Sequence, residues 1–330
     1  MGNITIARAK TMFLETIELP HSANTLKTYR KALETFSNML AAQHIDSFNF
    51  PVAELTENSV ADFVDYMKDL SPATESLYLQ VIKSFFEFLD GENLATVNLS
   101  RVRMLMRKGT RRSKRQLVEY PEEDIQHLIE FMSNLQNVSS LDSNELDNVE
   151  LRSMRDRALI LTLADTGLRV DEVCKLRCAQ IDWEASRATL SGRGHKQAFV
   201  RFSTRSIDAL RDYLSHRTPL DLENSRVPSS LPLFARHDKG AGKKIKPITP
   251  TTARRIVAER VHQILGPEAV GRITPHTFLH YFVTTILRAS GNLKLAQLLA
   301  RHSSIQVTQR YAHINDDELD KGYYEIFEKK

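Results

Sequence analysis

The chain has 330 residues, 42% hydrophobic and 26% charged, with a formal net charge of +4 and a pI of about 8.9. That length favours two domains over one core, and the composition is that of a folded globular protein rather than a disordered one. No apolar run reaches the ~18 residues a membrane helix needs, and the opening MGNITIARAK lacks the basic, apolar, small-residue order of a secretory signal.

Helices alone are expected over the first hundred residues. ITIARAKTMFLETI has helical spacing of apolar residues. In SANTLKTYRKALETFSNMLAAQ, with Asn24 or Thr25 as cap, Leu26, Tyr29, Leu33, Phe36 and Leu40 form one apolar face. TENSVADFVDYMKDL follows with Thr56 as cap. SPATESLYLQVIKSFFEFLD then starts at Pro72 and stops before Gly91. Four or five helices therefore make a first domain over 1–107. On it Lys27 and Arg30 are candidates for phosphate-backbone contact.

RVRMLMRKGTRRSKR carries eight basic residues, among them Arg107, Lys108, Arg111, Arg112, Lys114 and Arg115, and no acid. Such a run repels itself without an anionic partner. It falls at a domain boundary, so a basic linker over 108–118 lying along a DNA backbone is preferred to a merely solvated one.

Beyond it PEEDIQHLIEFMSNL opens a helix with acids in its first turn. NVSSLDSNELDNVE reads as a mobile surface loop. LRSMRDRALILTLADTG is a long helix that Gly167 stops, and LRVDEVCKLRCAQID begins another. The strand signal is confined to RATLSGRG and KQAFVRFS, a hairpin around Gly192 and Gly194. TRSIDALRDYLSHR is helical, and a loop rich in Pro, Gly and Lys follows it. TPTTARRIVAERVHQIL, TPHTFLHYFVTTILRAS and LKLAQLLARHSS are three further helices. The fold class is thus mainly α with a small antiparallel sheet. The tail from 315 to 330 is an amphipathic segment with no evident home in its own domain.

Polar residues gather at the ends of these elements: Arg169 with Asp171 and Glu172, Arg193 and Lys196 in the hairpin, His276 and His280 on one helix, then His302 and Tyr311. No acidic cluster suits magnesium, and no glycine-rich loop suits nucleotide phosphates. His276 and His280 stand one turn apart, but a zincin pattern needs Glu where Thr277 is found. Cys174 and Cys178 lack further thiol partners and read as small hydrophobes in a reducing cytoplasm. Cations, imidazoles and a phenol suit nucleophilic attack on a phosphodiester. Arginine forks grip the phosphate oxygens, the phenol forms the covalent bond, and a lysine protonates the leaving oxygen.

In that order, TGLRVDEVCKL, SGRGHKQAFVRF, PHTFLHYFVTTIL and ARHSSIQVTQRYAH resemble the four signature boxes of the tyrosine recombinases, the phage-integrase and Xer-like group. The resemblance covers residues 5 to 314. It implies a helical core-binding domain and a mixed α/β catalytic domain over 119–314, clamping DNA between them. It places Arg169 as first catalytic arginine, Glu172 as the acid bracing it, His276 and His302 as the site histidines and Tyr311 as nucleophile. His280 is implied as a buried support in preference to a phosphate contact. The hairpin lysine's usual position holds Arg193; a guanidinium is a poor acid, so Lys196 is favoured as proton donor. Arg301 stands where the family usually has glycine and either touches DNA or is simply exposed.

Leu279 occupies the place of the second catalytic arginine. Losing one such donor costs about 3 kcal/mol, or roughly 10² to 10³ in rate. Three explanations stand: an engineered substitution that holds a DNA complex still, natural decay into a DNA-binding relative, or a nearby basic residue that fills the gap. The first is preferred because the other boxes are well formed.

The resemblance implies strand exchange through a 3′-phosphotyrosine and a Holliday junction, with neither metal nor cofactor. The partner is double-stranded DNA with paired inverted sites, bound by a homotetramer whose tails dock on neighbours, in the cytoplasm of a bacterium or archaeon or from a phage. No segment before residue 5 is available to read distant arm sites, which favours an Xer-like enzyme. A non-catalytic DNA-binding relative and a DNA-relaxing topoisomerase are the rivals.

Overall fold

The computed structural model describes residues 4–18, 23–109, 121–135, 144–191, 197–223, 230–238, 240, 244–309 and 311. The chain divides into two compact units, Met1–Val118 and Glu119–Lys330.

The first unit contains α1 (Ile6–Glu18), α2 (Ala23–Ala42), α3 (Asn58–Tyr66), α4 (Pro72–Gly91) and α5 (Leu99–Gly109). Each helix lays an apolar stripe on one shared core. Leu33, Phe36 and Leu40 on α2 are fully buried, as the three-four rhythm requires, and Phe36 meets Phe63 edge-on at 5.3 Å. Ser71 caps α4 by accepting from the Thr74 amide at 3.2 Å, ahead of Pro72 in the first turn. Gly91 closes α4 from inside the helix rather than beyond it.

The basic run is not all linker: α5 carries it as far as Gly109. Val102 is buried on the core side, while Ser100, Arg103, Met104 and Arg107 line a shallow groove on the outer face, at the i, i+3, i+4, i+7 spacing of one helix side.

The second unit is built around α7 (Asn144–Thr166), whose stretch Ala158–Ala164 is buried almost all round. Such burial marks a helix enclosed by neighbours. Its neighbours are α6 (Glu122–Asn134), α9 (Thr204–Glu223), α10 (Pro250–Leu265) and α11 (Pro275–Ser290). The helix reaches back through residues 144–150, where the sequence reads as loop.

After Gly167 comes one turn only, α8 (Val170–Val173). The helix does not continue because the backbone finds partners elsewhere: Leu233 N donates to Leu176 O at 2.8 Å and Cys178 N to Leu231 O at 3.0 Å. The chain then enters β1 (Ile181–Asp182), which pairs antiparallel with β2 (Arg187–Ser191), itself paired with β3 (Gln197–Arg201) in the register Ala188↔Val200. Among the described residues the last helices are α12 (Leu293–Leu299) and α13 (Ile305–Gln309). Gly291, at φ 61°, ends α11 in the left-handed conformation that glycine adopts without strain.

Among the described residues no helix is long and apolar enough to cross a membrane.

Candidate active site

Arg169 follows the sharp exit from α7. Gly167 has φ +59°, and its hydrogen faces Phe282 of α11 so closely that a Cβ would fall 2.4 Å from the ring. Glycine therefore turns the chain there and sends Arg169 to the head of α8, where its side chain is exposed. Glu172 folds back on it, accepting from the Arg169 amide at 2.9 Å and from Nη1 at 3.3 Å.

His276, Leu279 and His280 lie on α11, started by Thr274 with Pro275 in its first turn. The His276 and His280 rings meet edge-on with centroids 4.7 Å apart. His302 follows α12 and is buried; its Nδ1 lies 2.9 Å from Thr308 Oγ1, and its carbonyl accepts from Gln297 Nε2 at 3.1 Å. Sequence reasoning overlooked Thr308. Its signal is a buried hydroxyl one helical turn before Tyr311.

Tyr311 lies against the rings of His280 and His302. Its centroid is 4.7 Å from that of His280, tilted by 69°, and 6.1 Å from that of His302, nearly parallel at 17°. The same ring packs on the apolar cluster of Leu279, Val283, Ala296 and Ala300. Leu279 is therefore a core residue of the cluster on which Tyr311 packs.

All three imidazoles are held below their ordinary pKa. For His280 the value falls to about 4, through burial and then the neighbouring His276 and His302. His276 is lowered by desolvation and then by the Arg169 charge. His302 is lowered by burial, then by Arg169, Arg301 and His276. Neutral imidazoles beside a phenol can accept its proton at neutral pH.

Of the two sequence readings of Arg301, DNA contact or simple exposure, the structure disfavours the second. Its side chain is only 12% exposed; Nη2 donates to Glu172 Oε2 at 3.0 Å and to Gly167 O at 2.8 Å. Glu172 thus bridges two arginines. The Arg301 backbone stands in the left-handed region, at φ +54°.

A cleft of about 450 Å³ opens beside these groups. It is lined by Arg169, Glu172, Lys175 and Arg301, with Leu190 and Ala198, which face each other across the β2–β3 ladder one step from its loop-side end. Arg193 and Lys196 lie outside the described residues, as do Arg111, Arg112, Lys114, Arg115, the side chain of Lys108 and the tail from 315. Lys27, Arg30 and Arg107 are exposed, all in the first unit. Among the described residues no group of three or more His, Cys, Asp or Glu is placed to hold a metal ion.

The Phage integrase family matches residues 119–318, and its N-terminal SAM-like domain matches residues 12–93. The chain belongs to the phage integrase family. Relatives include tyrosine recombinase XerC of Bacillus licheniformis, 29% identical over 317 residues, which span 95% of this chain and 94% of that protein. XerC of Bacillus subtilis is 26% identical, spanning 93% of this chain and 91% of its own length. Among solved structures, the XerH site-specific recombinase bound to a palindromic difH substrate matches with a TM-score of 0.67 at 20% identity, over 92% of this chain and 80% of that one. The Tn1549 transposon integrase in complex with a circular intermediate DNA also matches at 0.67, with 16% identity, over 98% and 99% of the two chains. These two structures share the fold described above.

Proposed function

We propose that this chain carries out site-specific recombination of double-stranded DNA, with Tyr311 as the nucleophile. The observation that carries this reading is the seat of the Tyr311 ring between His280 and His302 of its own chain, in the unit that also presents Arg169.

In the first step the Tyr311 oxygen attacks the scissile phosphorus, and the phenolic proton passes to a neutral imidazole of His302 or His276. The P–O5′ bond breaks, and the 5′-oxygen takes a proton from Lys196 in the hairpin, in preference to Arg193. Arg169, braced by Glu172, grips the non-bridging oxygens and stabilises the charge that builds up in the five-coordinate transition state. A 5′-hydroxyl from the partner duplex then attacks the phosphotyrosine, reversing each proton transfer and freeing Tyr311. Bond energy is conserved, so no nucleotide is consumed.

Leu279 removes one donor from the box pattern, and by itself this would slow cleavage roughly 10²- to 10³-fold. Strand exchange requires paired inverted sites and four protomers, joined through the tail from 315. Lys27, Arg30, Arg107, Lys108 and the basic residues up to Arg115 contact the phosphate backbone, which makes binding salt-dependent.

The test begins by selecting the preferred duplex from a randomised library by binding to the full chain. That duplex is rebuilt with a nick beside each candidate scissile phosphate and incubated with the protein. A protein–DNA band that survives denaturation, and is lost in Tyr311→Phe, supports the reading. Tight, salt-sensitive binding with no such band, even in Leu279→Arg, would establish the alternative of a non-catalytic DNA-binding relative. Relaxation of supercoils without exchanged products would point to a topoisomerase.

A further inference from the structure

Leu279 is one of three departures from the box pattern, and another, Arg301, directly follows a residue of the same apolar cluster. Ala300 packs in one group with Leu279, and Arg301 is the next residue. Its backbone is in the left-handed region at φ +54°, which costs a residue with a side chain about 1–2 kcal/mol and costs glycine nothing.

The side chain adds a further cost. It takes a charged group to 12% exposure, and its Nε is buried with no hydrogen-bond partner among the described residues. Its Nη1 contacts are long, at 3.2 Å to Leu299 O and 3.4 Å to Thr166 O. Nη1 and Nη2 meet the Thr166, Leu299 and Gly167 carbonyls and the Glu172 carboxylate, which accounts for part of the arginine's place here, and Nε is left over. Strain and an incompletely satisfied charge beside a candidate active site point to a functional role.

The charges around the cleft point the same way. Arg169 and Glu172 alone would sum to zero, and phosphate would meet a neutralised arginine. With Arg301 on the other oxygen of Glu172, the three groups carry a net charge of +1, and both arginines line the same cleft.

We propose that Arg301 is a catalytic residue: the second phosphate-gripping arginine of this site, entering from the end of α12 in place of the side chain lost at 279. This rests on reading the chain as a strand-exchange enzyme. When a phosphate enters the cleft, the loosely held Nη1 leaves its carbonyl contacts and turns to a phosphate oxygen while Nη2 stays on Glu172. The departures at 279 and 301 are therefore one exchange, and Leu279 does not disable the enzyme.

The experiment measures the single-turnover rate of the Tyr311–DNA adduct on the selected nicked duplex. It compares the natural chain with Arg301→Gly, Arg301→Lys, Leu279→Arg and Leu279→Arg/Arg301→Gly. Arg301→Gly relaxes the backbone, so folding is retained, and a thermal melt verifies it. The proposal expects Arg301→Gly to lose about 100-fold in rate with DNA affinity within about threefold. Arg301→Lys should fall between it and the natural chain, and Leu279→Arg/Arg301→Gly should recover most of the loss. A duplex with an uncharged methylphosphonate at the scissile position needs one less positive group, so there the Arg301→Gly deficit should shrink below about tenfold. A purely structural arginine would show no such dependence on substrate charge.

The proposal is overturned if Arg301→Gly stays within about threefold of the natural chain, or if its deficit is the same on both duplexes. It is also overturned if adducts form only in chains carrying Leu279→Arg, an outcome that leaves strand exchange itself standing. If no chain forms an adduct, the strand-exchange reading fails and this proposal falls with it.

Discussion

Replacing Gly167 with alanine tests how the fold sets Arg169 and Arg301. Two costs arise at one position. At φ +59° an alanine pays the left-handed penalty of about 1–2 kcal/mol. Its Cβ would also stand 2.4 and 2.6 Å from Cδ1 and Cε1 of Phe282, so α11 or the ring must shift, an overpacking cost of about 1–3 kcal/mol. Together they destabilise the second unit by about 3 kcal/mol, near 6–12 °C in Tm for a unit of this size. The displacement acts on α11, which carries His276 and His280, and on the Gly167 carbonyl that receives Arg301 Nη2. Adduct formation should therefore drop even where the variant remains folded. Urea unfolding of natural and Gly167→Ala chains, alone and with Phe282→Ala, separates the two costs. In the Phe282→Ala background the glycine substitution should cost only the backbone share, about 1–2 kcal/mol. A cost below about 0.5 kcal/mol in both backgrounds would refute the reasoning.

Further expectations concern the second unit. Asp156 is buried and holds Arg155 at 2.6 Å and Arg260 at 2.9 Å, so Asp156→Asn should cost about 3–5 kcal/mol in urea unfolding by stranding two guanidinium groups. His237 is buried with Nε2 2.8 Å from the Tyr213 hydroxyl, and burial, then the charges of Arg155, Arg217 and Arg152, push its pKa down to about 3. Its neutral ring contributes full stability above about pH 6.5, and that share is lost as pH falls toward 3. By pH 5 the loss is about 2 kcal/mol. His237→Phe should show a shallower acid slope in denaturant titrations, and equal slopes would contradict this. Cys174 is pushed up to about 12 by burial and then by Asp171. It should resist iodoacetamide at pH 8 in the folded chain and react on unfolding, as read by mass spectrometry.

How much of this was legible depended on whether local pattern or distant partners decided a residue's place. The helices of the first unit follow their apolar stripes, and α10 and α11 open where Thr249, Thr274 and the prolines after them signal a start. His276, His302 and Tyr311 could be grouped because their order and spacing survive in the sequence. β1 was hidden because two residues carry no period, and the turn at α8 because its backbone pairs with residues some fifty positions on. Arg301 was left between DNA contact and simple exposure for a related reason. An arginine reads as a surface residue, and only the positive φ and the carboxylate of Glu172 across the turn bring it inward.

The central claim is that the Tyr311 oxygen becomes bonded to DNA phosphorus. Mass spectrometry of the digested adduct from a nicked duplex tests it most directly. The account predicts one modified peptide, containing Tyr311 and bearing a nucleotide through its 3′-phosphate. A 5′-linked nucleotide, or attachment at any other residue such as Tyr323 or Tyr324, would contradict it.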